Sequence, residues 1–147
     1  MNKLITSTSK KLSKYAIVFY FCGSLYVLLE LITRGYSDIS MFFCAGIACS
    51  IISIFNNKVS WDFPLILQSI IGGIIITIFE GLCGILFNAK YNIWDYRDLP
   101  FTFFFNQCNL FFCLLWVMLS FVAIILSDWL LYWLFPNSEQ KPKYKWF

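Results

Sequence analysis

The sequence has no histidine among its 147 residues, and only 13% of its residues are charged. Without an imidazole the chain cannot form Ser-His or Cys-His nucleophile pairs, histidine metal sites or histidine proton relays. The charged fraction is about half of the roughly 25% that is typical of soluble globular proteins. The chain also lacks the G-x-x-x-x-G-K-[ST] loop that binds nucleotide phosphates, so an ATP-driven activity would need a separate ATPase subunit.

The cysteines also lack the spacing of a metal or redox motif, because no two of the six form a C-x-x-C pair. All of them fall inside apolar runs, where cysteine usually behaves as a small apolar residue. The sequence therefore predicts no metal, no cofactor and no disulfide for this set. The six are Cys22, Cys44, Cys49, Cys83, Cys108 and Cys113.

Apolar side chains are what the sequence has in abundance: 60% of the residues are hydrophobic and 21% are aromatic. A water-soluble domain of this length could not bury so much apolar surface, whereas lipid accepts helices that are apolar all round. We therefore predict an all-α membrane protein, with one membrane domain over residues 1–147 and four transmembrane helices in a bundle. The predicted spans are Tyr15–Thr33, Ile39–Phe55, Pro64–Phe87 and Leu99–Ser127, between polar tails over 1–14 and 136–147.

The last apolar run is too long for one upright helix, and Asp128 divides it. One interpretation is a C-terminal interfacial helix extension over Asp128–Phe135, whose Trp and Tyr rings suit the membrane surface. The alternative is one tilted, continuous helix.

Basic residues predict the orientation in the membrane. Eight Lys or Arg residues fall on the side that holds both termini and the loop 56–63, and three fall on the other side. Cytoplasmic segments carry the excess of Lys and Arg, so we predict a multi-pass protein of the cell membrane with both termini cytoplasmic. Because these charges flank lipid-length segments, the predicted partner is the lipid bilayer and not nucleic acid.

Ionisable residues inside the spans are the candidates for function, because a charge at mid-bilayer costs about 2.5–3.5 kcal/mol. Glu80 lies within the third span, where it is either a hydrogen-bonded contact between helices or a substrate or proton site. Glu30 and Arg34 are spaced i, i+4, which predicts an ion pair on one helix face. Arg34 could also reach Glu80 or Asp95 on a neighbouring helix.

Most of the polar groups gather at one end of the predicted bundle. Asp98 is predicted to cap the fourth helix, with Pro100 in its first turn. Asn106 and Asn109 then begin a stripe at helical spacing along that helix, which continues through Cys113, Trp116 and Ser120. These groups predict either a polar vestibule that opens outward or a structural clamp on the helix ends. The candidate binding cluster is Glu30, Arg34, Glu80, Trp94, Asp95, Tyr96, Arg97, Asn106 and Asn109.

Three stretches carry a family resemblance: ELITRGYSDISMFF, TIFEGLCGILFNAKYNIWDYRDLPF and FFCLLWVMLS. They resemble small bacterial and phage integral membrane proteins described as ABC-transporter permeases, of the CmpB-like, type IV group. The resemblance covers about Gly23 to Asp128. Three features depart from the family pattern: Arg97 stands in place of Ser, Thr102 stands in place of Asn, and Phe103–Phe105 fill the region where a Gly is expected. The matched positions are Glu30, Arg34, Gly35, Tyr36, Thr77, Glu80, Gly84, Trp94, Asp95, Tyr96, Pro100 and Trp116.

The resemblance implies a transporter or permease component of unknown substrate, which would work with a separate ATPase subunit. A homo-oligomer without an ATPase is the other transport arrangement. The alternative function is a membrane scaffold or partner-binding protein. A less favoured third is a lipid-acting membrane enzyme, in which Glu80 and Asp95 would serve as acid and base.

Overall fold

The computed structural model describes residues 2–147, with side chains from residue 12 onward. It confirms the predicted all-α architecture with four membrane-length helices. The helices are α1 (Asn2–Arg34), α2 (Ile39–Asn56), α3 (Leu65–Phe87) and α4 (Leu110–Leu134). Two short strands, β1 (Thr102–Phe103) and β2 (Cys108–Asn109), pair antiparallel just before α4.

Each helix contains a stretch long and apolar enough to cross a bilayer, which makes the chain a multi-pass membrane protein. Only between 22% and 39% of each stretch is buried inside the bundle, and the exposed remainder is mostly Leu, Ile and Phe. Lipid is the solvent that such a surface requires. The stretches are Leu12–Arg34, Ile39–Asn56, Leu65–Phe87 and Leu110–Leu134.

The first helix begins far before the predicted span. Residues 2–14, predicted as part of a polar tail, continue α1, because no proline or glycine interrupts them. The side chains of Lys3, Lys10 and Lys11 lie outside the described part of the chain. At its other end α1 stops at Gly35, whose φ of 78° is the left-handed conformation that glycine adopts without strain.

The bundle consists of two helical hairpins, α1 with α2 and α3 with α4. Glycines bring the two helices of each hairpin close together. A Cβ added at Gly46 would lie 2.8 Å from the backbone oxygen of Phe19, and one at Gly73 would lie 2.9 Å from the Cα of Val117. Close backbone approach of this kind is how membrane helices gain packing contacts. In contrast, α1 makes few contacts with α3 or α4.

A disulfide joins the two hairpins, and this contradicts the prediction that every cysteine is a plain apolar residue. Cys44 in the first half of α2 is bonded to Cys83 near the end of α3. The two helices run antiparallel, so the start of α2 and the end of α3 lie at the same level. The 39 residues that separate the two cysteines hide this proximity in the sequence. The other four cysteines are free.

The fourth helix begins at Leu110 and not near Leu99, so the predicted cap at Asp98 and first turn at Pro100 are wrong. Phe104 and Phe105 have φ values of 50° and 56°, which a right-handed helix excludes. The helix cap is Asn109, whose side chain accepts a hydrogen bond from the Phe111 amide at 2.9 Å.

At its other end α4 continues without a break through Asp128 to Leu134. This agrees with the alternative prediction of one continuous helix.

The C-terminal segment, residues 135–147, packs back onto the helix ends. Tyr144 donates a hydrogen bond to Asp128 at 3.1 Å, and Lys14 pairs with Glu139. The backbone oxygen of Lys145 accepts from the amide of Leu65, the first residue of α3, at 2.8 Å. The sequence predicted a polar tail for residues 136–147, and the last of these contacts satisfies a helix-end amide that would otherwise need water.

Candidate functional site

Glu80 is the buried carboxylate of α3, and it receives two hydrogen bonds from neutral donors. The hydroxyl of Tyr96 donates to one carboxylate oxygen and the indole of Trp116 donates to the other, each at 2.9 Å. Only 7% of the Glu80 surface is exposed. The donors come from different elements, the loop after α3 and the helix α4, so Glu80 connects three parts of the fold.

The loop between α3 and α4, residues 88–109, is here called the cap loop. Asn88 organises it: its side-chain oxygen accepts from the amide of Ile93 at 2.8 Å, and its amide group donates to the carbonyl of Trp94 at 2.7 Å. The same amide group donates to Gln107 at 3.0 Å. The Trp94 indole donates to the Gln107 backbone oxygen at 3.1 Å. These bonds fix the segment that holds Tyr96 over Glu80.

Tyr96 is suited to remain a hydrogen-bond donor. Burial, together with the nearby Glu80 carboxylate, raises the pKa of Tyr96 well above its ordinary value. Burial likewise raises the pKa of the Cys108 thiol, to about 12. Both groups therefore stay protonated at neutral pH and present hydrogens, not charge, to their surroundings.

The predicted pair of Glu30 and Arg34 is present, with a distance of 2.6 Å between the guanidinium and the carboxylate. The Ser37 hydroxyl donates to the second Glu30 oxygen at 2.5 Å. Arg34 reaches neither Glu80 nor Asp95; it donates to the backbone oxygen of Ile93 at 2.9 Å. The pair therefore attaches the end of α1 to the cap loop.

Asp95 and Arg97 form a separate, exposed ion pair at 2.6 Å on the surface of the cap loop. Hydrogen bonds from Arg97 lower the pKa of Asp95. Asp95 is bound to Arg97 on the exposed surface and Glu80 is bound to Tyr96 in the interior, so the two carboxylates belong to separate hydrogen-bonded groups.

Asn106 and Asn109 are not members of a polar stripe on α4. Asn106 is exposed and has a φ of 56°, so it belongs to the turn between β1 and β2. Asn109 is fully buried, and besides capping α4 it donates to the Pro100 carbonyl at 2.7 Å. Their positions assign them to the folding of the cap loop.

The cap loop covers the end of the bundle that holds most of the polar groups. An open polar vestibule was one of the two predictions for this end. Asn88, Trp94 and Gln107 are buried there, with 1%, 9% and 2% of their surface exposed. The polar groups of that end are largely used up in bonds to each other. The bonds of Arg34 and Glu80 attach α1 and α3 to the cap loop, while Glu80 also lines the cleft described next.

An apolar cleft of about 530 Å³ lies between the two hairpins, on the other side of Glu80. Glu80 is the one acidic or basic residue that lines it among the described residues. The cleft opens sideways: Leu28 on α1 and Val122 on α4 line it and are 52% and 46% exposed. In a membrane protein such an opening faces the lipid and not the aqueous phase.

Several residues of this site are absent from the predicted cluster. Tyr26 and Phe79 line the cleft as apolar positions, and Asn88 organises the cap loop. Trp116 was part of a helical stripe and a matched position of the resemblance, and the structure adds its bond to Glu80. Periodicity could find Trp116, but no signal in one sequence distinguishes Asn88 from any other loop asparagine.

Comparisons of the chain with protein-family models, characterised proteins and solved structures found no match. No group of three or more His, Cys, Asp or Glu side chains that could hold a metal occurs in the described residues. The argument for function therefore depends on the cleft and Glu80.

Proposed function

We propose that this protein binds an amphipathic molecule taken from the bilayer, and that this binding is the substrate-recognition step of a membrane transport component. The observation that carries the proposal is the lateral apolar cleft with one carboxylate at its wall. The substrate's apolar body would lie between the hairpins, and its polar group would contact Glu80.

The size and composition of the cleft support this proposal. Small-molecule pockets typically measure about 300–1,000 Å³ and combine an apolar lining with a few polar groups that fix orientation. A cleft of about 530 Å³ falls within this range. Its sideways opening gives an apolar molecule a path from the lipid that avoids the closed cap loop.

The position of Glu80 also supports binding over a purely structural contact. A carboxylate in a membrane span is expensive and usually faces a bundle interior or a pathway. Tyr96 and Trp116 already connect the cap loop to α4 through Glu80. A glutamine could keep both contacts without the cost of a charge, because its oxygen could accept from Trp116 and its amide group could donate to the Tyr96 hydroxyl. Retaining the acid at the wall of a cavity favours a ligand that uses its charge.

Partnership with an ATPase, which the family resemblance implies, is a separate part of the proposal. The loop 57–64 between α2 and α3 would contribute to the surface for such a subunit. This loop is partly covered by the chain's own C-terminal segment: the Trp61 indole donates to Gln140 at 3.2 Å. An ATPase that binds this loop would therefore have to bind the C-terminal segment as well.

The experiment is to purify the protein in mild detergent and identify co-purifying small molecules by native mass spectrometry. Ala123→Trp places an indole in the cleft and should remove a bound molecule. Met118→Trp is the matched control, because Met118 lies on the same helix, is 67% exposed and does not line the cleft. Equal occupancy in both variants would contradict binding in the cleft.

Cross-linking in the native host tests the partnership. A stoichiometric ATPase linked through Lys58 or the C-terminal lysines would support the permease proposal. Recovery of a defined homo-oligomer alone would contradict that part, and it would leave the ligand-binding proposal to the mass-spectrometry result.

A further inference from the structure

We infer that the ligand of the cleft is a lipophilic cation, such as an amphipathic ammonium ion. This inference rests on the proposed function, because it names the chemical class of molecule that the same cleft accepts. It depends on the charge of Glu80, the aromatic side chains beside it and the absence of basic groups from the lining.

Glu80 has no cationic partner within the described part of the chain. The three ion pairs found there are Lys14–Glu139, Glu30–Arg34 and Asp95–Arg97. Tyr96 and Trp116 stabilise the Glu80 carboxylate with hydrogen bonds but do not neutralise it. A buried carboxylate in a membrane gains most from a paired cation, so a cationic ligand has a large electrostatic advantage at this position.

The carboxylate also keeps acceptor capacity for such a ligand. An ionised carboxylate has about four lone-pair positions. Tyr96 and Trp116 each occupy one of them, while the Cys108 thiol donates to the backbone oxygen of Thr77 at 3.7 Å. Because Glu80 forms part of the cleft wall, a cation lying in the cleft can approach the positions that remain.

Aromatic side chains are part of the cleft lining. Tyr26, Phe79 and Trp116 line the cleft together with Glu80, and the centroids of Tyr26 and Trp116 are 6.2 Å apart. The faces of aromatic rings attract cations, and aromatic cages are a recurring way to bind quaternary ammonium groups. A carboxylate beside three aromatic side chains therefore favours a bulky organic cation over a small hydrated ion.

An anionic ligand would find no partner in this cleft. No Lys or Arg occurs among its lining residues. Arg34, which ends the helix that forms one wall, already binds Glu30 and the carbonyl of Ile93. An anion of the same shape would meet only the like charge of Glu80, which should exclude it.

The test uses tetraphenylphosphonium and tetraphenylborate, two ions of nearly the same shape and opposite charge. Binding to the purified protein in neutral-lipid nanodiscs is measured by equilibrium dialysis, with empty nanodiscs subtracted. We expect tetraphenylphosphonium to bind the unaltered protein at least about tenfold more tightly than tetraphenylborate. Glu80→Gln should remove that preference.

Controls separate the site from general effects. Asp128→Asn removes another carboxylate, also 7% exposed, that does not line the cleft, and should leave the preference intact. Phe79→Leu should weaken cation binding by about threefold through the loss of one ring face. The comparison of the two ions needs only the unaltered protein, so it decides the question even if Glu80→Gln fails to fold.

The outcomes distinguish the two proposals. Equal, saturable binding of both ions, or a preference that survives Glu80→Gln, would overturn the cationic class and leave a ligand-binding cleft in place. Failure of both ions to bind would also overturn the cationic class. The proposed function would then fail only if the cleft-filling Ala123→Trp variant also left the co-purifying molecules unchanged.

Discussion

The two sides of Glu80 differ in almost every physical respect. On one side the cap loop is polar, closed and hydrogen-bonded within itself, with Asn88 at its centre. On the other side the cleft is apolar, open to lipid and holds no bond partner for the carboxylate beyond the Trp116 indole. The comparison teaches that a dense cluster of polar residues can serve folding, while one polar residue in an apolar wall is the better candidate for function.

The largest effect should come from the centre of the cap loop. Asn88→Ala removes four hydrogen bonds and leaves buried backbone groups without partners. We expect a loss of more than about 4 kcal/mol in the free energy of unfolding, at the upper end for single substitutions. Denaturant unfolding in detergent measures it.

Asn92→Ala is the matched control, since Asn92 is an exposed residue of the same loop. It should change stability by less than about 0.5 kcal/mol. A similar loss in both variants would mean that the cap loop is not organised by Asn88.

An intermediate effect is expected for the disulfide between the hairpins. Cys44→Ser removes the covalent link between α2 and α3 and should lower stability by about 2–4 kcal/mol. Alkylation of the unreduced, denatured protein should label four cysteines before the substitution and five after it, because Cys83 becomes free.

Cys113→Ser is the corresponding control at a free cysteine, and it should leave three labelled cysteines and nearly unchanged stability. Labelling of six cysteines in the unaltered protein would show that the disulfide does not form.

The smallest effect should come from the exposed part of the cap loop. Asp95→Asn breaks the ion pair with Arg97, but both side chains are solvated, so the unfolding temperature should not change measurably. Binding of tetraphenylphosphonium should also be unchanged. A large loss of binding would mean that Asp95 belongs to the binding site. The contrast between the two sides of Glu80 would then be weaker.

The sequence predicted the helices well because a helix that crosses a membrane needs a long apolar run, and polar residues separate one run from the next. It located the pair of Glu30 and Arg34 for a similar reason, since i, i+4 spacing depends only on local geometry. It misplaced the start of α4, because Phe103 to Phe105 are as apolar as a helix. Hydropathy does not distinguish a helix from a loop that lies against lipid.

The rest of the site depends on contacts between distant parts of the chain. The bond from Trp116 to Glu80 spans 36 residues and the disulfide spans 39. Neither separation appears in any local pattern, and the cleft lies where α1 makes few contacts with α3 and α4. A single sequence does not show directly where such a cleft between helices lies.

The disulfide also limits how the cleft can change its width. It fixes the distance between α2 and α3 near the cap loop, while Lys14 and Glu139 connect α1 to the C-terminal segment at the opposite end of the bundle. The bond from Arg34 to the Ile93 carbonyl also attaches α1 to the cap loop. Widening that keeps these links would therefore be greatest between the two ends of the bundle, where Tyr26 on α1 faces Trp116 on α4, so the distance between these two rings measures how far the cleft is open.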